Sequence, residues 1–188
     1  MSSRETGPSP GSRFAVLADP FPLLMKVELC LHAFRLAEQV SSVEPLAEVD
    51  FQIIRADSAE TSDLLKFTDP ELAGWRFGQG ELCWVARAEG EIVSYVWAAF
   101  EQQRVEELCN AIVLQEGEVY LYDAFTLPEW RGKALYPALL SRQLEYFKEQ
   151  GYRRALIFTV VENIASRRGI IRAGFYHFQS IGFTKILN

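Results

Sequence analysis

Cysteine and histidine are scarce in this chain of 188 residues, which carries three of the first (Cys30, Cys83 and Cys109) and two of the second. No Cys-x-x-Cys pair occurs and the cysteines stand far apart, which argues against a structural zinc site and against a disulfide framework. An odd, unframed set fits a reducing cytosol better than secretion, and two of the three lie in apolar surroundings as small buried hydrophobes. Long apolar runs are missing as well: nothing approaches the roughly 20 residues of a membrane span. Residues 1–12 are rich in Ser, Gly and Pro and have no apolar centre, so they read as a disordered tail, neither a signal peptide nor an anchor. Basic clusters are missing too. Against 25 acidic residues stand 19 Lys and Arg, a net charge of −6, and the densest basic spots, Arg153-Arg154 and Arg167-Arg168, are short. Such a surface repels phosphate backbones. The expectation is a cytoplasmic protein with no nucleic-acid and no membrane partner. No internal repeat is visible.

What is present suits one globular domain: 49% hydrophobic, 23% charged and 13% aromatic residues, enough to bury a core without metal or disulfide. Leu24, Val27, Leu31 and Phe34 recur at helical spacing and predict an amphipathic helix from about Leu23, although Val27, Leu29, Leu31 and Ala33 also alternate as in a strand. Residues 41–48 are a polar connector. Phe51–Ala56 reads as a short strand, with Asp57 or Ser58 placed to cap a helix running to about Phe67. Thr68–Gly80, with Pro70, Gly74, Gly78 and Gly80, reads as loop with a broken helical turn. Leu82–Arg87 and Ile92–Phe100 flank Ala88-Glu89-Gly90-Glu91 as a β-hairpin. Glu101–Gln115 fits a helix through Val105, Leu108, Cys109 and Ile112, and a strand over Asn110–Leu114. Val119–Leu127 (VYLYDAFTL) is apolar on both faces and therefore a central strand. Tyr136, Leu139, Leu140, Leu144 and Phe147 form a helical stripe that stops at Gly151. Ala155–Val161 is a second buried strand, and Ser166–Ala173 a helix ended by Gly174. Strand, helix and strand from Leu127 to Ala155 make a parallel crossover, whereas the hairpin is antiparallel. The fold class is α+β (α/β), a mixed sheet with helices on both faces.

The stretch Thr126-Leu127-Pro128-Glu129-Trp130-Arg131-Gly132-Lys133-Ala134-Leu135-Tyr136 carries the chemistry. A strand ends, a loop with Arg, Gly and Lys follows, and a helix begins at once, so free amide donors and the positive end of the helix dipole converge. That spot suits a phosphate or pyrophosphate. Gly132 permits close backbone approach, while Arg131 and Lys133 add attraction in an acidic chain. A plain strand-to-helix loop with solvated charges would carry the same residues, and context decides between the two. The hairpin with E-G-E-I-V-S-Y, the T-L-P-E-W-R-G-K-A-L-Y-P-A-L-L segment and N-I-A-S-R-R-G-I-I-R-A-G-F together resemble the GNAT acetyltransferase superfamily. The family's pyrophosphate motif, Q/R-x-x-G-x-G/A, places Arg131 first, with Ala134 where Gly is expected and Tyr136 where Gly or Ala is expected. Asn163, Ser166 and Gly174-Phe175 match the family's following helix.

The resemblance implies a mostly antiparallel mixed sheet with a central splay over residues 51–188, and an N-terminal extension over 13–50 packed on that domain. It implies acetyl-CoA as co-substrate, lying between the strand ending at Leu127 and the strand Ala155–Val161, and no metal. Backbone groups of Phe125, Thr126 and Leu127 would pair with the pantetheine. Amides from Gly132 through Lys133, Ala134, Leu135 and Tyr136 would hold the pyrophosphate, with Pro137 excluded because it has no N–H. Asn163 and Ser166 would fix the cofactor's other edge, or serve only as turn and cap. Acetyl transfer to an amine then needs a base, an oxyanion donor and a proton for the thiolate. Asp123, a carboxylate inside an apolar strand, is either that base or an anchor for neighbouring amides. Glu118 is the second base candidate, or a solvated turn residue. Ile170 stands where many members carry a Tyr or His acid, which leaves Tyr176, Tyr122 or water for that role. Tyr136 has a second reading, as the first residue of its helix's core stripe. Trp75, Phe77, Trp84 and Trp97 suit a core better than an acceptor pocket. The short C-terminus leaves room for one strand or a tight hairpin after Phe175, and an open edge there predicts a homodimer. The implied function is transfer of an acetyl group to a small-molecule or peptide amine. A module of the same fold that binds acyl-CoA without turnover is the alternative, and aminoacyl transfer from tRNA is disfavoured by the acidic charge.

Overall fold

The computed structural model describes residues 23–36, 50–57, 61–64, 67–101, 103–105 and 110–187. Along them run β1 (Leu23–Arg35), β2 (Gln52–Ala56), α1 (Thr61–Leu64), α2 (Pro70–Gly78), β3 (Leu82–Ala88), β4 (Glu91–Ala99), β5 (Gln103–Val105), β6 (Asn110–Ile112), β7 (Glu118–Thr126), α3 (Leu135–Glu149), β8 (Arg154–Val160), α4 (Ile164–Arg172) and β9 (Tyr176–Leu187). The tail expected over 1–12, the connector over 41–48, Ser58, Leu108 and Cys109 lie outside the described residues.

Seven strands form one sheet in the order β2-β3-β4-β7-β8-β1-β9, and β5 with β6 makes a separate ribbon. Every neighbouring pair in the sheet is antiparallel except β7 and β8. That parallel pair is bonded only from Glu118↔Arg154 to Leu121↔Ile157. Beyond it the two strands part, which opens the expected splay. The hairpin β3–β4 and the central strand β7 stand where the alternation and apolar runs put them.

α3 covers one face of the sheet because its stripe Leu135, Leu139, Leu144 and Phe147 is fully apolar and buried against Val96, Ala98, Leu121 and Ile157. Ile170 of α4 joins the same core. The opposite face is covered by Leu64 of α1 and by Ala73 and Phe77 of α2, packed on Cys83, Val85, Tyr95 and Trp97. Trp84 and Trp97 are core residues, with the Phe77 ring 5.0 Å from Trp97, and only Trp75 is largely exposed among the four aromatics singled out.

Two elements differ from expectation. Leu23–Arg35 is a strand, not a helix. It lies between β8 and β9, so Leu29 and Ala33 are buried on one face and Cys30, His32 and Phe34 on the other. A strand buried on both sides has apolar residues at nearly every position, so helical spacings arise in it by default. Residues 23–35 of the stretch expected as an extension thus supply an interior strand of the sheet. The second difference is α2. Asp69 takes the N-cap position, its Oδ1 accepting from the amides of Glu71 (2.7 Å) and Leu72 (3.4 Å), with Pro70 in the first turn. This cap and proline outweigh Gly74 and Gly78 inside the helix. After α4 a single strand, β9, follows; its inner edge pairs with β1 and it forms the border of the sheet.

Candidate functional site: the cleft at the splay

β7 departs from regular pairing at one place. Tyr95 faces Phe125 and Trp97 faces Tyr122, so Val96 alone stands opposite both Asp123 and Ala124. This is a β-bulge, and Asp123 adopts φ of 42° within it. The bulge takes the Val96 carbonyl out of the ladder, and the side-chain amide of Gln143, fully buried on α3, donates to it at 3.1 Å. Just past the bulge, the amide of Leu127 donates to the carbonyl of Val93 at 2.9 Å. The alternation of an antiparallel ladder then turns the N–H and C=O of Thr126 away from β4, toward the splay.

Beyond β7 the chain makes a short 3-10 turn over Pro128–Trp130 and enters α3 through two left-handed residues, Gly132 (φ 78°) and Ala134 (φ 62°). Ala134 sits at the N-cap of α3 and offers no side-chain cap. The first intrahelical bond is Ala138 to Ala134 at 3.1 Å, which leaves the amides of Leu135 and Tyr136 outside the helical ladder, and Pro137 has none to give. Left-handed turns leading into an uncapped helix start form a concave, electropositive nest of donors.

A cleft of about 660 Å³ opens there, between the end of β7, the start of α3 and α4. Of the expected residues it brings together Phe125, Thr126, Arg131, Gly132, Ala134, Leu135, Tyr136, Asn163 and Ser166. Arg131 is held in place: its Nε donates to the Thr126 carbonyl at 3.0 Å and its guanidinium lies 5.8 Å from the Phe125 ring. Ser94 donates to the Phe125 carbonyl at 2.8 Å and lies 2.7 Å from the Thr126 hydroxyl. Asn163 caps α4, its Oδ1 accepting from the Ser166 amide at 3.1 Å.

Tyr136 does not obstruct this space. Its ring lies against Gly169 of α4, where an added Cβ would come within 2.6 Å of Cδ1. Burial pushes the pKa of its hydroxyl up to about 12, against the opposing influence of the Ser166 side chain. A glycine on α4 thus makes room for the bulk that the loop carries where the family has a small residue.

Four expected residues lie outside the cleft lining: Leu127, Lys133, Asp123 and Glu118. Leu127 packs on the core with its amide spent on β4. Lys133 places its ammonium 4.3 Å from the Trp130 ring. Asp123 points to the α2 face, where it pairs with Arg76 and accepts from the Tyr95 hydroxyl at 3.2 Å. Glu118 is buried at the far end of β7, about 26 Å along the strand from Thr126. There it pairs with Arg154 and accepts from the Gln115 amide at 3.0 Å, tying the start of β7 to β8. Ile170, at the position of the family's Tyr or His acid, is fully buried. The Tyr122 hydroxyl donates to Glu81, and burial holds its pKa far above the ordinary value. Tyr176 lies under the Arg35 guanidinium, 5.9 Å from it.

Ala124, Trp130, Ala165, Arg168, Gly169 and Arg172 line the cleft without having been picked out from the sequence. The last four follow a helical stripe along α4, a periodicity visible in the sequence but polar enough to read as a solvated face.

A mixed sheet that splays beside a bulge, with an uncapped helix start at the gap, defines an α+β fold with a cleft at its splay. The Acetyltransferase (GNAT) family model matches residues 48–175, about two thirds of the chain, and the protein belongs to that family. Solved structures agree on the fold. A GCN5-related N-acetyltransferase from Sphaerobacter thermophilus superposes with a TM-score of 0.64 at 13% identity, over 88% of this chain and 52% of that one. A GNAT-family acetyltransferase from Colwellia psychrerythraea gives 0.60 at 14% identity, over 87% and 57%. The aminoglycoside N-acetyltransferase AAC(6')-Iy, solved in complex with CoA, gives 0.54 at 18% identity, over 68% of this chain and 93% of that one. This chain spans only half to two thirds of several of the solved chains it matches. No curated protein sequence matches it.

Proposed function

We propose that the protein is an acyl-CoA-dependent N-acyltransferase that moves an acetyl group from acetyl-CoA to an amine. The observation that carries this reading is the cleft itself, where the turned-out Thr126 backbone at the splay adjoins the free amides of Leu135 and Tyr136. The cleft volume lies in the range of small-molecule sites, and no Asp or Glu among the described residues lines it. The first-turn amides of α3, with Arg131 alongside, suit the pyrophosphate. The Thr126 N–H, turned away from β4, would donate to a thioester carbonyl, where charge develops as the amine attacks. Acetyl-CoA supplies the activated acyl group. AAC(6')-Iy has also been solved with the bisubstrate analogue CoA-S-monomethyl-acetylneamine, which accords with an amine acceptor approaching the same gap.

We read Asp123 as holding the bulge through Arg76 and Tyr95, and Glu118 as a clasp between β7 and β8. Proton transfer then falls to the amine's own equilibrium and to water. The burial of Ile170 favours one second reading, a module that binds acyl-CoA without turnover. A cytoplasmic setting suits the buried Cys30 and Cys83 thiols. No helix among the described residues is long and apolar enough to cross a membrane. Homodimerisation through the open side of β9 is the matching proposal for a protein partner, and light scattering after gel filtration tests it.

The deciding experiment measures the melting temperature with acetyl-CoA, then thiol release over a panel of amines. A rise in melting temperature with amine-dependent thiol release is expected. A rise without release selects the binding module, and no rise at millimolar acetyl-CoA overturns the cofactor assignment.

A further inference from the structure

The arginines of this protein are mostly spent on its own structure. Arg76 pairs with Asp123, Arg87 with Asp63, Arg142 with Glu145 and Arg154 with Glu118. Arg153 donates to the Glu116 carbonyl, and Arg167 donates to that of Val161 at 3.2 Å. Arg168 and Arg172 differ: neither has a hydrogen-bond or ion-pair partner among the described residues, and both are exposed and line the cleft. A cation in the last turn of a helix is favoured by the helix dipole, which accounts for Arg172 alone. Arg168, in the middle of α4, has no such reason to be there.

Their position is fixed by the contact between the helices. They stand four residues apart, about 6 Å along the helix axis and on one side of it. They bracket Gly169, the residue that touches the Tyr136 ring in the first turn of α3. The free amides of Leu135 and Tyr136 therefore look onto the same end of the cleft as the two guanidiniums. One diphosphate on those amides, with Arg131 beside it, leaves two forked donors unanswered. They suit a dianionic phosphomonoester, which Arg engages by paired hydrogen bonds.

We propose that Arg168 and Arg172 form a second phosphate subsite, which selects nucleotides bearing a phosphomonoester one ribose away from the diphosphate. This rests on the acyl-CoA reading above and adds a ligand discrimination to it: coenzyme A is preferred to dephospho-coenzyme A, which differs only in lacking the 3′-phosphate. Because the surface as a whole is acidic, the pair gives the cleft a local attraction that the net charge of −6 denies to other phosphates.

The test is calorimetric titration of the full chain with coenzyme A and with dephospho-coenzyme A at one ionic strength. It is repeated on the Arg168→Gln/Arg172→Gln double variant, whose melting temperature is checked first. Wild type is expected to bind coenzyme A roughly 10- to 100-fold more tightly than the dephospho form. The double variant is expected to bind both at the wild-type affinity for the dephospho form. Equal binding of the two ligands by wild type overturns the subsite while leaving the cofactor assignment standing. So does a preference that survives in the variant, or an equal loss of both ligands. Failure of wild type to bind either ligand overturns both readings.

Discussion

At the scale of single residues, backbone handedness and buried charge set the terms. Ala134 holds φ of 62° at the entrance to α3. An L-residue pays roughly 1–2 kcal/mol for that conformation, against the 0.4–1 kcal/mol that glycine costs through the unfolded chain. Ala134→Gly should therefore gain about 0.5–1 kcal/mol in urea denaturation, while the mirror change Gly132→Ala (φ 78°, open space around a new Cβ) loses about the same 0.5–1 kcal/mol. Asp123→Asn separates anchor from base. As an anchor, it leaves the buried Arg76 guanidinium without its carboxylate and lowers stability by about 1–3 kcal/mol. As a base, it would cut turnover about 10²–10⁴-fold at unchanged melting temperature. The anchor outcome is expected, read from melts and thiol-release rates on the same preparation. Glu81 is buried, and that burial raises its pKa from the ordinary 4.5 against the opposing hydrogen bond from Tyr122 and the charge of Arg76. A carboxyl raised in the fold contributes stability below its unfolded pKa and loses it as pH rises through the folded value. Glu81→Gln should accordingly raise the melting temperature at pH 8 and give no gain at pH 4.

At the scale of elements, α3 and α4 meet through complementary residues, the bulky Tyr136 and Gly169. Gly169→Ala forces the two helices apart or the ring out of its slot, a cost of about 1–3 kcal/mol in denaturant. A smaller side chain at position 136 should remove most of that cost, so a Gly169→Ala/Tyr136→Leu cycle reads the coupling. Helix contact of this kind is not written in either segment alone, which is why Tyr136 read equally as obstruction and as core. Other features were legible. The hairpin, the β7 run and the α3 stripe are local patterns whose period survives in the fold. α2 was readable in principle from Asp69-Pro70, a cap-and-proline start that the nearby glycines masked. The bulge was not readable, since Asp123 marks it only through an ion pair with Arg76, distant in sequence. Of the candidate site, the loop from Arg131 to Tyr136 could be read because one strand-to-helix junction contains it. The α4 stripe could not, because its arginines show no function until the cleft they face is in place.

At the scale of the whole molecule, the sheet is completed by a strand from the opposite end of the chain. β1 bonds β8 on one side and β9 on the other, and among the described residues β9 has no other strand partner. Removing residues 1–36 should leave two raw edges and uncover Phe34's partner Phe175. The truncated chain is expected to lose its cooperative thermal transition and to elute as aggregate in gel filtration. A monodisperse product melting like the full chain would contradict this. The same arrangement has a consequence in time. During synthesis β1 emerges first and its two partners last, with pairings such as Leu29↔Val160 and Leu23↔Leu187 closing loops of roughly 130–160 residues. At about 5–20 residues per second, an apolar strand waits on the order of ten seconds or more for its place to exist. The nascent chain therefore carries an unpaired, aggregation-prone segment until β8 and β9 have been made. Codon pausing or chaperone capture near the ribosome will bear on the yield of this protein more than on that of a domain whose first strand pairs with its second.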